Sequence, residues 1–106
     1  MIGIGTWKAS VNTLVFRGEI TIVISDNNGE YNIDFRFPDK FKDMKIKTYD
    51  IKENGNTLSG KGEISMLPGK ELEAEVTFDG DAFTGVLKIP FIKRNIELKN
   101  GRRVTE

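Results

Sequence analysis

The stretch GTWKASV (Gly5–Val11) alternates polar with apolar residues and carries the only tryptophan of the chain. Strict alternation of this kind is typical of a β-strand that buries one of its two faces. Trp7, Ala9 and Val11 share the apolar face of such a strand. The pattern therefore predicts a first β-strand whose large aromatic side chain points into the interior of the protein.

Turn signals divide the rest of the chain into short alternating segments. Each signal places Gly, Asn or Asp where a tight turn requires a positive φ angle: SDNNGE (Ser25–Glu30), KENGN (Lys52–Asn56), LPGK (Leu67–Lys70) and DGD (Asp79–Asp81). The segments between the turns predict about eight strands, near residues 5–12, 17–25, 30–37, 44–51, 57–66, 71–78, 81–89 and 92–99. No segment has helical periodicity over the length that a helix needs.

The second and sixth segments have the clearest apolar faces. Their predicted inward residues are Ile20, Ile22, Ile24, Leu72, Ala74, Val76 and Phe78. The fourth segment alternates poorly, and a β-bulge near Lys47–Thr48 would reconcile its two halves. Pro90 has no N–H to donate to a ladder, so it predicts a bulge or bend near the end of the seventh strand.

One-sided antiparallel strands joined by short turns predict an up-and-down sheet. About eight such strands are best accommodated in a barrel, because closure leaves no unpaired edge strand. We therefore expect an all-β protein with a single domain over residues 1–106, an antiparallel up-and-down barrel of about eight strands. A β-sandwich is the alternative fold, although it would normally need longer loops to move the chain between two sheets.

The composition limits the chemistry that the chain can perform. Lys plus Arg and Asp plus Glu are equal at 16 each, so no net field favours nucleic acid or an acidic membrane surface. The chain has no Cys and no His, which excludes thiolate nucleophiles, the common zinc sites and Ser-His-Asp triads. We expect no metal, no cofactor, no nucleic-acid partner and no membrane span. Without a secretory signal, we expect a cytoplasmic protein, either a monomer or a homodimer.

The tripeptide Gly5-Thr6-Trp7, at the head of a predicted meander, resembles the G-x-W opening of lipocalins, fatty-acid-binding proteins and streptavidin. The resemblance implies that Trp7 seals one end of the barrel and that an arginine from the end of the last strand stacks over it. Arg102 or Arg103 would supply this cation, and a guanidinium over an indole is a favourable pair. The alternative is that Trp7 simply fills the core and has no arginine partner.

The chain also resembles short bacterial domains of uncharacterised function that open with G-T-W and end on arginine. The segments ENGNTLSG (Glu53–Gly60) and FDGDAFTGVLK (Phe78–Lys88) look like the hairpins of those domains. This resemblance implies a lipocalin-like barrel in the broad sense, and it implies no particular ligand.

Three glycines occupy inward positions of the fifth and seventh segments. Gly60, Gly62 and Gly85 either leave space for a ligand or allow the strands to coil at barrel corners, and we favour the second interpretation. A barrel of about eight strands either fills its interior with side chains or holds one small ligand. Because the other inward residues are mostly large and apolar, we expect a small, dry cavity.

One charged residue falls on an inward position. By alternation, Arg94 should point into the barrel or its mouth, where Tyr31, Tyr49 and Asp50 could join it. A buried guanidinium needs an acid, carbonyl groups or an anionic ligand as its partner. The alternative is that the bend at Pro90 resets the alternation and leaves Arg94 in solvent.

These observations leave three hypotheses for function. The first is a non-enzymatic module that binds a small apolar or amphipathic ligand through Arg94, Tyr31, Tyr49, Asp50 and the three glycines. The second, ranked almost level, is a structural or protein-interaction domain with a filled core. The third is a cofactor-free isomerase or lyase that acts inside the barrel. Nothing in the sequence supplies an activated base with a group to orient it, so the third has the least support.

Overall fold

The computed structural model describes residues 2–12, 17–37, 46–64, 71–90 and 93–104. Within these ranges the chain forms eight β-strands: β1 Gly5–Asn12, β2 Arg17–Asn27, β3 Glu30–Arg36, β4 Ile46–Asn54, β5 Thr57–Ile64, β6 Glu71–Asp79, β7 Ala82–Ile89 and β8 Arg94–Val104. None of the residues in these ranges belongs to a helix long and apolar enough to cross a lipid bilayer.

The eight strands form one antiparallel sheet. The order across the sheet is β3-β2-β1-β8-β7-β6-β5-β4, so pairing of β1 with β8 joins the two halves. β3 and β4 are the two ends of this order, and they lie beside each other with far fewer contacts than any hydrogen-bonded pair of strands. The sheet is therefore an up-and-down barrel that is nearly closed. This confirms the predicted fold class, and the single sheet rules out the β-sandwich alternative.

Three of the four predicted tight turns connect strands at the expected positions. Asn28-Gly29 joins β2 to β3, Gly55-Asn56 joins β4 to β5, and Gly80-Asp81 joins β6 to β7. Asn28 has a φ of 55° and Gly29 a φ of 90°, the left-handed backbone that these two residue types adopt most easily. The fourth predicted turn, LPGK, lies outside the described residues.

The core is built from the inward faces of six strands. Its buried apolar residues are Trp7, Ala9, Val11, Ile20, Ile22, Ile24, Leu58, Leu72, Phe78, Phe83, Leu87, Ile89 and Leu98. The apolar faces predicted for β2 and β6 are confirmed, because their inward residues are either buried or line the barrel interior. Within the described ranges, β3 and β4 contribute no residue to this buried set.

The bulge of β4 lies at Asp50 and Ile51, so the position predicted from the sequence was wrong. The register with β5 shifts between Tyr49 and Lys52, and Asp50 adopts a φ of 52°. Aspartate tolerates left-handed backbone far better than a β-branched residue such as Thr48, which explains why the irregularity falls later than predicted.

The last strand is longer than predicted. β8 continues to Val104 because Asn100 adopts a φ of 54° and absorbs a register shift against both β1 and β7. The bend predicted at Pro90 is confirmed: β7 ends at Ile89, and the Lys93 N–H donates a hydrogen bond to the Pro90 carbonyl at 3.0 Å.

Candidate functional site

Trp7 is buried at one end of the barrel as part of an aromatic cluster. Its side chain is only 1% exposed, and its ring lies 4.9 Å from that of Phe78 and 5.6 Å, edge-on, from that of Phe83. The indole N–H donates to the Gly3 carbonyl at 2.8 Å, so its one polar atom is satisfied. We call this region, with Arg103 above it, the closed end.

Arg103 is the arginine that covers the indole. Its guanidinium carbon lies 4.3 Å from the ring centroid of Trp7, while Nη1 donates to the Ile4 carbonyl at 2.7 Å and Nε to Asp81 at 3.0 Å. Arg102, the other predicted partner, instead forms an ion pair with Glu19 on the outer surface, and its hydrogen bond lowers the pKa of that carboxyl group. The cation–π contact is therefore made by one arginine of the pair.

An apolar cavity of about 50 Å³ lies inside the barrel, next to Trp7. All eight strands contribute to its lining, which is almost entirely hydrocarbon. Among the described residues no buried side chain is polar or charged. These walls offer water almost no hydrogen-bond partners. The cavity has the small size expected from the sequence.

The boundary between β3 and β4, which we call the seam, forms one side of the cavity wall. The inward side chains here are only half-buried: Ile33, Phe35, Ile46, Thr48 and Ile51. Because β3 and β4 share no strand pairing, no ladder of hydrogen bonds holds these residues together across the boundary. The seam is thus a side of the cavity wall that no strand pairing closes.

Neighbouring side chains fill the space beside the α-carbons of the three inward glycines. A methyl group on Gly62 would lie 2.7 Å from Ile46 Cγ2, and one on Gly85 would lie 3.0 Å from Leu98 Cδ1. Gly60 faces Ile51 at 3.2 Å in the same way. Gly60 and Gly62 are part of the cavity lining, whereas Gly85 is not among the described lining residues. These contacts agree with the interpretation that the glycines let strands coil and pack closely.

Tyr31 bridges the seam near the closed end of the barrel. Its hydroxyl donates to the Glu53 carboxylate and accepts a hydrogen bond from the Ile2 N–H at 2.7 Å. Partial burial and the hydrogen bond to Glu53 both raise the pKa of Tyr31. The tyrosine therefore links the N-terminal residues, β3 and β4 at one point.

Tyr49 and Asp50 do not converge with Tyr31. Tyr49 pairs with Lys61 on the outer face of β5, and its hydrogen bond to Glu71 raises the pKa of Tyr49 to about 12. Asp50 is exposed and borders a polar groove on the outer surface. The bulge follows Tyr49 in the chain, so the alternation is not reset before it. Thr48 therefore points inward and Tyr49 points outward. β8 begins at Arg94, but the direction of its side chain lies outside what the structure describes.

Neither Glu53 nor the N-terminal segment Ile2 to Ile4 was predicted from the sequence to be part of this region. Glu53 sits in a turn signal, where a charged residue carries no distinguishing pattern. The sequence also gave no sign of the seam, because the alternation in β3 is the same whether one or both of its edges are paired. Within the described part of the chain, no cluster of acidic residues is arranged to hold a metal ion.

No protein-family model, no curated protein and no solved structure matches this chain. What the site does must therefore be argued from its own geometry.

Proposed function

We propose that this protein is a non-enzymatic, lipocalin-like binding module for a small apolar molecule, or for the slender apolar end of an amphipathic one. The observation that carries the proposal is an apolar cavity whose wall has a weak, half-buried side at the seam. A fully sealed cavity has no route to solvent, whereas this one borders two strands that are not paired to each other. The nearly closed barrel is compatible with such a binding domain.

The size and chemistry of the cavity restrict the ligand class. Pockets for drug-sized ligands are usually about 300–1,000 Å³, far above the 50 Å³ found inside this barrel. A compatible ligand is therefore narrow, such as a straight alkyl chain whose tip fills the cavity. No buried charge or polar side chain among the described residues would recognise a polar group there, so a polar head would remain outside.

A structural or protein-interaction domain is the second candidate. The observation that favours it is the same small volume, because a barrel filled by its own side chains needs no ligand for stability. The enzyme hypothesis gains no support from the tyrosines, since Tyr31 and Glu53 meet at the end of the seam and neither is a described lining residue of the cavity.

Trp7 provides a built-in reporter for testing the binding proposal. It is the only tryptophan of the chain and it lines the cavity. We expect a straight-chain primary alcohol with a bromine atom at its far end to quench Trp7 fluorescence in a saturable manner. Across a series of chain lengths, each methylene that enters the cavity should tighten binding by about fourfold, which corresponds to roughly 0.8 kcal/mol. The gain should stop when the cavity is full.

A matched pair of substitutions separates cavity binding from surface adsorption. Ala74 lines the cavity, so Ala74→Leu fills it and should abolish saturable quenching. Ala82 is exposed on β7, so Ala82→Leu adds the same carbon atoms to the surface and should leave binding unchanged. Absence of saturable quenching in the unmodified protein up to the solubility limit of every alcohol would reject the proposal and favour the filled-core domain.

A further inference from the structure

The N-terminal residues Ile2 to Ile4, which we call the strap, cross the closed end of the barrel. The Gly3 carbonyl accepts the indole N–H of Trp7, and the Ile4 carbonyl accepts a hydrogen bond from Arg103. Gly3 has a φ of 70° and lies directly against the ring of Phe78, so no larger residue fits there without a rearrangement. Both contacts tie the strap to the paired wall of the barrel.

The strap also reaches the seam. The Ile2 N–H donates to the Tyr31 hydroxyl, which in turn donates to the Glu53 carboxylate. A continuous set of hydrogen bonds therefore runs from the strap to β3 and from β3 to β4. Elsewhere along these two strands no ladder holds them together, although their inward side chains line the cavity.

We infer that the apolar ligand reaches the cavity by passing between β3 and β4, and that the strap, through Tyr31 and Glu53, is the latch of this seam. The inference rests on the proposed function, which it deepens by assigning the route of the ligand. Separating β3 from β4 breaks no ladder of backbone hydrogen bonds and only the side-chain bond from Tyr31 to Glu53, whereas parting any other neighbouring strands would break a ladder. The seam is therefore the side of the barrel that opens at the lowest cost.

A reversible cross-link across the seam tests the route. The chain has no cysteine, so a new pair forms a unique disulfide. β3 and β4 run in opposite directions, and Tyr31 of β3 contacts Glu53 of β4. The next residue of β3, Asn32, is therefore expected opposite the preceding residue of β4, Lys52, and both are exposed. In the double variant Asn32→Cys/Lys52→Cys, joined by a disulfide or by a short bis-maleimide, stopped-flow quenching of Trp7 should slow by roughly tenfold or more. Reduction of the disulfide should restore the original rate.

The control cross-link joins two strands that are already paired. Thr57 and Thr77 face each other on β5 and β6 with their hydroxyl oxygens 2.9 Å apart, so Thr57→Cys/Thr77→Cys should leave the rate unchanged. Saturable quenching at the same rate with and without the seam cross-link would overturn the inference and leave the proposed function standing. A complete lack of saturable quenching in the unmodified protein would instead reject the proposed function.

Removal of one hydroxyl group tests the latch. Tyr31→Phe keeps the ring and loses both hydrogen bonds, so we expect ligand binding and release to accelerate together by about two- to tenfold, the equivalent of one net hydrogen bond. The amide of Ile2 should also exchange faster with deuterium, a readout that needs no ligand. Tyr49→Phe is the matched control, because its hydroxyl bonds to Glu71 on the outer surface. Equal kinetics in the two variants would show that Tyr31 is not a latch.

Discussion

Ile24 of β2 and Ile33 of β3 face each other directly in the sheet, yet their environments differ. Ile24 is 5% exposed, whereas Ile33 is only half-buried. β2 is paired on both sides, and β3 has one of its edges at the seam. Alternation thus places both isoleucines on the inner face, and the inward side chain of the strand at the seam is the less buried of this pair.

The largest effect should come from truncating these two isoleucines in turn. Ile24→Ala creates a cavity in a closed wall and should lower the free energy of unfolding by about 2–5 kcal/mol. Ile33→Ala removes the same atoms from a half-buried position and should cost roughly 1 kcal/mol. Urea denaturation followed by circular dichroism measures both values. Equal losses would mean that the seam is as tightly packed as the wall.

Adding a methyl group tests the same contrast in the opposite direction. Gly85→Ala would press on Leu98 at 3.0 Å and on the backbone oxygen of Glu75 at 3.3 Å, and should destabilise the protein by about 1–3 kcal/mol. Gly62→Ala presses on Ile46, a half-buried side chain at the seam, so we expect its cost to be smaller despite the closer 2.7 Å approach. A lower urea midpoint for Gly62→Ala than for Gly85→Ala would show that side chains at the seam do not adjust more easily than those of the paired wall.

The two neighbouring arginines provide a third comparison. Arg103→Gln removes the cation from Trp7 and should cost about 1–2 kcal/mol, with a change in the emission of the indole. Arg102→Gln breaks an exposed ion pair with Glu19 and an exposed hydrogen bond to the Asn100 carbonyl, so it should change stability less. Thermal unfolding of both variants, with Trp7 emission recorded in parallel, distinguishes them. Identical behaviour would show that Arg103 plays no part in closing the barrel.

The smallest effect is expected at alkaline pH. The pKa of Tyr49 is raised from 10.0 to about 12, so the folded protein holds this proton more tightly than the unfolded chain does. Its contribution to stability should be complete below about pH 10 and be lost as the pH rises towards about 12. Tyr31, whose pKa is also raised, should act in the same direction at the seam. Between about pH 9 and about pH 11 the urea midpoint should fall less for each Tyr→Phe variant than for the parent protein. An equal fall in variant and parent would show that these tyrosines do not contribute to the pH dependence of stability.

Much of the fold followed from local pattern, and much of the site did not. Trp7, the isoleucines of β2 and three tight turns were placed correctly because period-two alternation and turn chemistry are local properties. The bulge at Asp50 depends on a single residue with positive φ, and it follows Tyr49, which lies on the outer face against the prediction. The seam depends on how the outer edges of β3 and β4 meet when the sheet closes on itself, and no short segment of sequence determines that.

Residue-resolved amide hydrogen exchange distinguishes an unpaired seam from a fully closed barrel. In a barrel with an unpaired seam, every second amide of β3 and β4 faces the boundary and should exchange rapidly, while both sets of amides in β1 and β8 should be protected. We expect this alternation of fast and slow amides along β3 and β4. Uniform protection of these two strands, at the level of β1 and β8, would mean that β3 and β4 are paired and that the barrel has no seam.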